Sequence, residues 1–476
     1  MSDIYKQKVK KYKYLKLKTP YIGGGDEESE ESKEKDITNI NIKYDYDFEF
    51  IGQGGFGCII SPPLQFNNTI YIKNLINDKK LEEIFTNKDY VGKLLSCDNK
   101  IFIDEYEDFK KLDKIDKDAN HRSKLIFAGY MSKHDIVKKL EGLYDDEEKI
   151  TKETKEKIKQ LYDCLIDPDK KIINSSSSEN YGYIISTRVG KSFTKILNSN
   201  NFNNNQIITI LENLKESIGD LIQKLYIDES IHGDIKFDNM TLDEKLKVYF
   251  IDFGFMQKYT DEVNLEKICI NHQYPDILYI FFMIKKLFKN NKILYYYYYY
   301  NNKISKSNLI KLLKYYKNSS KYSIQSILLN KIKLYKIDYS CFFHSLEDNT
   351  KYSLEDFYTK CIKPIAKNID IYALSLYIYI LFDNIYSDIN TFKYDFDKNP
   401  NTLNILKELL INALYNNIDG PEELIIYIDA IINSIKNGTN TILYKKIEDR
   451  RKIKEIPFYY YFADKYIDSK YNNYYK

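Results

Sequence analysis

Apolar and polar positions divide the chain into a strand-rich first part and a helix-rich second part. Short apolar runs bounded by Gly, Pro or Asn predict strands in the first part. These runs are YDYDFEFIGQGGFGCIISPPL (44–64, two strands around a glycine turn), TIYIKNLI (69–76), SKLIFAGYM (123–131) and YGYIISTRV (181–189). Such a division predicts an α+β fold with two lobes and a cleft between them.

Helical spacing of apolar residues predicts three further elements. KKLEEIFTNKDYVGKLL (79–95) and QIITILENLKESIGDLIQKLYI (206–227) have one apolar side, as in amphipathic helices. The run IDIYALSLYIYILF (369–382) is apolar throughout, but it is too short to cross a bilayer comfortably and begins with an acid at its second position. We therefore predict a buried helix there. Helical periodicity returns from TLNILKELLINAL (402–414) onward.

Two segments are expected to lie outside the folded core. The segment GGGDEESEESKEKD (23–36) has many acids and no apolar residue, so it is predicted to be a disordered linker. Residues 285–360 form a biased insertion that includes six consecutive tyrosines at 295–300. A stacking surface for bases is one interpretation of these tyrosines, and a tolerated AT-rich coding repeat is the favoured one.

Composition limits the choice of partners only weakly. The chain has 476 residues, more than a single hydrophobic core usually supports, with 43% hydrophobic and 30% charged residues. Lys and Arg (72) nearly balance Asp and Glu (69). The basic excess is confined to the N-terminal arm YKQKVKKYKYLKLK, for which a solvated arm is favoured over contact with nucleic acid or an acidic membrane.

The cysteines and histidines indicate a reducing compartment and no zinc site. Six cysteines are scattered without CxxC pairs, the five histidines are isolated, and the first residues alternate Lys and Tyr instead of forming an apolar signal sequence. We therefore expect free thiols and an intracellular location.

A glycine-rich turn provides the first candidate for chemistry. Gly52, Gly54 and Gly57 form a GxGxxG pattern between two predicted strands. Glycines let backbone N–H groups approach phosphate oxygens, although a plain hairpin has the same composition. A helix would follow in a dinucleotide-binding fold, and here a strand follows. Lys73, sixteen residues beyond Gly57, either extends to solvent or neutralises phosphates under the turn.

The most specific pattern lies in IHGDIKFDNM (231–240) and the following IDFG (251–254). Asp234 and Asn239 are five residues apart, and Asp252 comes eighteen residues after Asp234. Phosphoryl transfer needs a carboxylate that accepts the hydroxyl proton, oxygen ligands for Mg²⁺ and a cation on the migrating phosphate. These three residues and Lys236 supply such groups. The apolar residues among them are expected to anchor the loop.

In order and spacing, these motifs resemble those of the eukaryotic protein-kinase family. The sequence HGDIKFDN matches the family motif HRDLKxxN, and Asp252–Gly254 matches DFG. The glycine turn and Lys73 precede them, as in the family. The resemblance covers about residues 48–256 and resumes at NIDIYALS (368–375). The biased composition further resembles that of serine/threonine kinases of giant DNA viruses, which would mean a location in the host cytoplasm or the virion.

The resemblance implies a bilobal fold, ATP and Mg²⁺ as ligands, and a role for each matching residue. Asp234 would be the catalytic base, Lys236 would contact the γ-phosphate, and Asn239 and Asp252 would bind Mg²⁺. His232 and Asp370 would fix the catalytic loop. The implied nucleotide-binding residues are Ile51, Gly52, Gln53, Gly54, Gly55, Phe56, Gly57, Cys58 and Ile59 of the glycine turn, Lys73 on the α/β-phosphates, and Ser186 and Arg188 in the hinge.

Some positions depart from the family pattern. Gly233 replaces the usual Arg, so the resemblance does not imply regulation by an activation-loop phosphate that pairs with that Arg. The acid expected to pair with Lys73 is either Asp89 or Glu83. Asp276 in YPDI stands where the family has the Glu of APE, and about ninety residues then precede Asp370. The implied domains are an arm and linker (1–38), a small lobe with a charged insertion (39–187) and a large lobe (188–476).

The leading hypothesis from sequence is a protein kinase that transfers the γ-phosphate of ATP to Ser or Thr of a protein substrate. Lys236 favours these acceptors, because tyrosine kinases usually lack it. A pseudokinase scaffold would be favoured if a catalytic Asp or the strand Lys were missing. A small-molecule phosphotransferase of the same fold would usually lack the full glycine turn. The physiological substrate, regulation and oligomeric state do not follow from the sequence.

Overall fold

The computed structural model describes the parts of the chain that hold most of the predicted elements. The described residues, apart from a few single positions, are 48–53, 57–64, 70–74, 83–95, 99–132, 151–166, 180–199, 201–260, 263–265, 351–382 and 394–438. The basic arm, the acidic linker, the tyrosine run and Asp276 lie outside them, so the predictions for these segments stay predictions.

The chain forms two compact units. Among the described residues, the first contains those up to Lys110 and from Lys124 to Arg188, and the second contains those from Lys111 to Ser123 and from Val189 onward. Antiparallel strands dominate the first and helices the second, so the predicted α+β class is confirmed.

The first unit is built on a six-stranded antiparallel sheet with the order β1-β2-β4-β6-β5-β3. Its strands are β1 (Glu49–Gln53), β2 (Gly57–Ser61), β3 (Ile70–Asn74), β4 (Tyr90–Leu95), β5 (Leu125–Ser132) and β6 (Asn180–Thr187). Every strand predicted in this part of the chain is present. The predicted helix at 79–95 is wrong in its second half, because Tyr90–Leu95 is β4. Its neighbours β2 and β6 hydrogen-bond to both of its edges, and this pairing overrides the helical spacing of its apolar residues.

A helix lies on each face of this sheet. Side chains alternate between the two faces, so Leu94 and Leu95 belong to different apolar clusters. Leu95 packs with Phe102 of helix α1 (Asn99–Ile115), whereas Leu94 packs with Leu161 of helix α2 (Lys152–Ile166). The charged insertion that follows β5 therefore supplies a helix that covers one face of the sheet.

A disulfide joins Cys58 in β2 to Cys164 in α2, with 6.2 Å between their Cα atoms. Both residues are buried. The expectation of free thiols is thus wrong for this pair, because residues 106 positions apart in the sequence meet in one apolar cluster. Cys361 is buried in the second unit.

We expect the disulfide to contribute substantially to stability. Closing a loop of this length in the unfolded chain is worth about 4–5 kcal/mol in the chain-entropy account. A reductant should therefore lower the melting temperature of the wild type, measured by circular dichroism, to about that of Cys164→Ala. The same reductant should leave the melting temperature of Cys164→Ala unchanged. A wild-type melting temperature that does not respond to reductant would contradict the bond.

The second unit contains most of the described helices and a few short strands. Its strands are β7 (Lys191–Ser192), β8 (Ser230–Ile231), β9 (Met240–Leu242), β10 (Val248–Phe250), β11 (Gln257–Lys258), β12 (Ile304–Ser305) and β13 (Lys351–Tyr352). Its helices are α3 (Phe193–Ser199), α4 (Asn204–Ser217), α5 (Gln223–Ile227), α6 (Leu354–Phe357), α7 (Lys363–Lys367), α8 (Ile369–Phe382), α9 (Pro400–Leu414) and α10 (Pro421–Asn437). Turns of π-helix at Ile218–Ile222 and Tyr358–Ile362 precede α5 and α7.

Helix α8 lies in the core of this unit, and all of its residues are buried. It has the bounds that the apolar run predicts. A carboxylate enters this core at Asp370, in the first turn of α8. Within the described parts of the chain, no single helix meets the length and hydropathy expected of a membrane span. One pair, Glu355–Lys367 and Ile369–Phe382, meets them jointly across a bend of 44°.

Candidate active site

The glycine turn joins two antiparallel strands of the first unit. Gln53 of β1 pairs with Cys58 of β2, and Gly54, Gly55 and Phe56 between them lie outside the described residues. Gly57 has no room for a side chain, because a Cβ there would come within 2.2 Å of the Leu94 carbonyl oxygen. A Cβ at Gly52 would meet none of the described atoms within 4 Å. The hairpin therefore packs closely against β4 next to its turn and, among the described atoms, leaves space beside Gly52.

The two residues after the turn lie on opposite faces of the sheet. Ile59 is partly exposed, whereas the side chain of Cys58 is buried and bonded to Cys164. The predicted nucleotide contact of Cys58 is therefore restricted to its backbone. Ile51 in β1 is partly buried, and its predicted contact with the nucleotide stays a prediction.

A lysine–glutamate ion pair includes a residue of β4, the strand that pairs directly with the hairpin. Lys93 of β4 is directly opposite Ile59 of β2, and its Nζ lies 2.6 Å from Oε1 of Glu105 in helix α1. The two side chains are only 19% and 16% exposed. Because such a pair is poorly solvated, each charge holds the other at a defined position on this face of the sheet.

The structure does not support Lys73 as the lysine of this site. Its strand, β3, is the edge strand at the opposite end of the sheet from the hairpin and pairs with β5 alone. The predicted partners Asp89 and Glu83 are both exposed, and the side chain of Lys73 lies outside the described residues. Strand order thus places Lys93, and not Lys73, on the strand that pairs with the hairpin. The nucleotide contact predicted for Lys73 stays a prediction.

The two predicted hinge residues are held by contacts within the first unit. Ser186 is buried in β6 and pairs with Val91 and Leu125. The Arg188 N–H donates to the Asp89 carbonyl, and its guanidinium lies 2.9 Å from Glu49 Oε2. The backbone N–H and the guanidinium of Arg188 thus have partners within the first unit, and its predicted contact with the nucleotide stays a prediction.

In the second unit, the loop 231–240 is anchored by its apolar residues. Four of them are 1–2% exposed, which confirms the predicted anchors: Ile231, Ile235, Phe237 and Met240. Phe237 stacks on Phe193 of α3 and meets Tyr377 of α8 edge-on. The polar residues between the anchors are therefore carried on a backbone fixed from several sides.

Asp234 accepts hydrogen bonds from two side chains of the same loop. Its Oδ2 lies 2.9 Å from Lys236 Nζ and 2.7 Å from Asn239 Nδ2. Asn239 Nδ2 also donates to the Asp234 carbonyl at 2.8 Å. The Asp234 side chain is only 5% exposed, so one cation and one amide supply much of the stabilisation that water would otherwise give its carboxylate.

Asp370 of α8 clamps the start of this loop. Its two carboxylate oxygens accept the backbone N–H groups of His232, at 2.6 Å, and Gly233, at 2.9 Å. Burial raises the pKa of Asp370, and these two donors and His232 partly oppose the rise. Its contact with the loop confirms the structural role predicted for it.

His232 connects the loop to the strand that ends at Asp252. Burial lowers the pKa of His232 below its ordinary value, so the neutral ring is the form present near pH 7. The Asp234 N–H lies 3.3 Å from Nδ1, and Nε2 lies 3.2 Å from the Ile251 carbonyl. This arrangement assigns the ring proton to Nε2, which donates to Ile251. The ring also packs against Phe253 with 4.5 Å between centroids.

The backbone conformation of Gly233 explains why a larger residue is absent from this position. Its φ is +77°, and a Cβ there would lie 2.8 Å from the Phe255 carbonyl oxygen. A larger residue would be strained in conformation and would also collide with the segment after Asp252.

Asn239 and Asp252 offer oxygen ligands of the kind that Mg²⁺ prefers. Both bonds given above for Asn239 use its amide nitrogen, which leaves the amide oxygen outside the contact with Asp234. Asp252 is exposed and has a left-handed backbone with φ +61°. The Ile251 N–H donates to the Asn239 carbonyl at 2.9 Å, so the two residues are connected through one backbone bond. Their chemistry fits a Mg²⁺ site.

Sequence reasoning missed Lys93 and Glu105. A usable signal was present, because YVGKLL combines β-branched and aromatic residues with a lysine. Twelve residues later, a glutamate lies on an amphipathic segment, NKIFIDEYEDFKKLDKI. The apolar residues of 79–95 have helical spacing, so the strand Tyr90–Leu95 was predicted as part of a helix.

Comparison with known proteins gives a partial match to a kinase. No protein-family model matches the chain. Two sequences of the serine/threonine-protein kinase CLA4 from Candida albicans are each 40% identical over 88 residues. The match covers 18% of this chain and 8% of those proteins, so the chain spans only a small part of the relatives it matches. This limited likeness is to a protein kinase that acts on Ser and Thr.

Proposed function

We propose that this protein is an ATP- and Mg²⁺-dependent protein kinase that transfers the γ-phosphate of ATP to serine or threonine hydroxyls. The observation that carries the proposal is the buried carboxylate of Asp234, held by Lys236 and Asn239 on a loop clamped by Asp370. The partial match to a serine/threonine kinase supports the same reaction class. The two units would correspond to the two lobes of a protein-kinase fold.

Asp234 would serve as the general base. In the proposed reaction the acceptor hydroxyl donates its proton to the Asp234 carboxylate as the oxygen attacks the γ-phosphorus. The bond between that phosphorus and the β,γ-bridging oxygen breaks, and ADP leaves with the electron pair. Lys236 supplies positive charge beside the carboxylate and, in this proposal, also beside the transferred phosphoryl group.

The first unit would bind the nucleotide. Backbone N–H groups of the hairpin around Gly52 and Gly57 would meet the phosphates, and Ile51 and Ile59 would contact the adenine. Lys93, held by Glu105, would neutralise the α/β-phosphates. A lysine kept in place by a poorly solvated ion pair loses little side-chain entropy when it meets a phosphate.

Asn239 and Asp252 would hold Mg²⁺. When bound, the metal would neutralise charge on the phosphate oxygens. Asn239 would serve in two ways, because its amide nitrogen orients Asp234 while its amide oxygen is directed elsewhere. The Asn239–Ile251 backbone bond would keep the ligand residues in register.

The direct test is a transfer assay with γ-labelled ATP, a mixed Ser/Thr-rich protein substrate and excess Mg²⁺, followed by phosphosite mapping. We expect label on Ser and Thr and loss of the signal when EDTA replaces Mg²⁺. An ATP-binding measurement under the same conditions distinguishes the other outcomes. Binding without transfer would favour a scaffold and would contradict the proposal. Label only on small hydroxylated molecules would favour a small-molecule phosphotransferase instead.

A further inference from the structure

A fully buried arginine holds the segment that follows helix α1. The Arg122 and Asp116 side chains are both 0% exposed, and Arg122 Nε lies 3.0 Å from Asp116 Oδ2. Arg122 Nη2 donates to Asp113 Oδ1 at 2.9 Å, and Nη1 donates to the Ser123 carbonyl at 3.0 Å. A buried guanidinium is tolerated only when its donors are satisfied, and here each of its nitrogens has a partner.

Asp116 connects this arginine to helix α5. Its second oxygen, Oδ1, lies 2.7 Å from Lys224 Nζ, and Lys224 also meets Asp220 at 2.6 Å. Arg122 and Lys224 therefore meet the same carboxylate from different elements. The result is a fixed link between the segment 116–123 and the π-turn and helix that carry Asp220 and Lys224.

The same segment lies along one edge of strand β10. The Phe250 N–H donates to the His121 carbonyl at 2.8 Å, and Arg122 and Phe250 form a parallel bridge. His121 Nδ1 and the Val248 carbonyl both lie within 2.8 Å of Ser217 Oγ. The other edge of β10 pairs with β9, which begins directly after Asn239.

Strand β10 ends two residues before Asp252. Its position is therefore determined on one side by β9 and on the other by residues 121–122, which Arg122 holds in place. A shift of this outer neighbour would move Phe250 and Ile251. Ile251 is bonded to both Asn239 and His232, so the shift would reach the backbone of Asp252.

We propose that Arg122 is a positioning residue for Asp252, acting through the Asp116–Lys224 link and the backbone contact with β10. The inference rests on the metal-binding role proposed above for Asp252. Residues that orient metal ligands without touching the metal change metal affinity by about 10–100-fold when they are replaced. The guanidinium of Arg122 is proposed to act in the same way, because it would orient Asp252 without touching the metal.

The test compares Arg122→Lys, which keeps the charge but loses the planar fork, with the wild type. The first readout is hydrogen exchange of the peptide 248–256, which needs no ligand, and we expect faster exchange in the variant. The second is the Mg²⁺ concentration that half-saturates binding of a fluorescent ATP analogue. It should rise about tenfold, while binding of the analogue in EDTA stays unchanged.

Thr402→Val is the matched control for a general loss of stability. Thr402 shares a buried hydroxyl contact of 2.8 Å with Ser434 between α9 and α10, in the same unit and away from β10. We expect its melting temperature to fall without a change in either readout. If Arg122→Lys does not fold, Lys224→Met is the second variant. It removes the partly exposed lysine that binds Asp116 and leaves Arg122 in place, and it should shift both readouts in the same direction.

The outcomes separate this inference from the proposed function. Unchanged exchange of 248–256 in folded Arg122→Lys, or in Lys224→Met where the first variant fails to fold, would overturn the positioning role even if the protein is an active kinase. If the variant exchanges faster but the wild type shows no Mg²⁺-dependent nucleotide binding, the link between Arg122 and β10 would stand. The proposed function would then be overturned.

Discussion

Asp234→Asn is expected to lower kcat for phosphoryl transfer by about 10²–10⁴-fold. The amide cannot accept the hydroxyl proton, although it has nearly the shape of the carboxylate. It also replaces an ionised acceptor beside Lys236 and Asn239 with a neutral one. The measurement is steady-state transfer from ATP to a Ser/Thr substrate, with KM for ATP determined separately, because the base is not proposed to bind the nucleotide.

Asp238→Asn provides the matched control. Asp238 is in the same loop, also loses one negative charge in the variant, and is exposed, with its carboxylate bonded to Thr194 Oγ1 at 2.8 Å. We expect kcat to stay within about twofold of the wild type, as for most exposed substitutions. Equal losses in the two variants would mean that loop charge, rather than proton acceptance at Asp234, determines the rate.

Lys93→Met is expected to lower kcat/KM by about 10²–10³-fold, since one preorganised cation on the phosphates is lost. Lys73→Met should have little effect, because β3 lies at the opposite edge of the sheet. Both changes remove one lysine charge from a strand of the same sheet, so each is the control for the other. The measurement is transfer activity together with ATP affinity.

The ion pair adds a second criterion. Glu105→Gln should also weaken ATP use, and the double variant Lys93→Met/Glu105→Gln should be little worse than Lys93→Met alone. Residues that act through one contact are not additive. Additive losses would show that Glu105 does not act through Lys93. An inactive Lys73→Met together with an active Lys93→Met would restore the lysine predicted from sequence.

Local patterns were sufficient for several parts of this protein. The glycine hairpin, the anchored loop 231–240 and the buried helix at 369–382 all follow from residues close together in the chain. In the loop, Asp234 and Asn239 are five residues apart, so an anchored turn necessarily keeps their side chains near each other. The apolar run of α8 has no polar side, which is typical of a helix buried in a core.

Other parts depended on pairings between distant residues. The order of the strands along the sequence does not specify their order in the sheet. The sequence therefore could not indicate that β4, rather than β3, lies beside the hairpin. Residues 79–95 have apolar spacing compatible with a helix, and only hydrogen bonding to β2 and β6 made their second half a strand.

By itself, therefore, the sequence determined which residues could do chemistry within a single loop, because covalent connection keeps them together. The tertiary structure alone decided which lysine meets a glutamate, which cysteines join and which arginine supports β10. Those contacts link residues that are far apart in the chain or on different elements. Packing and strand pairing bring these residues together, and the local spacing of residues in the sequence does not predict which of them will meet.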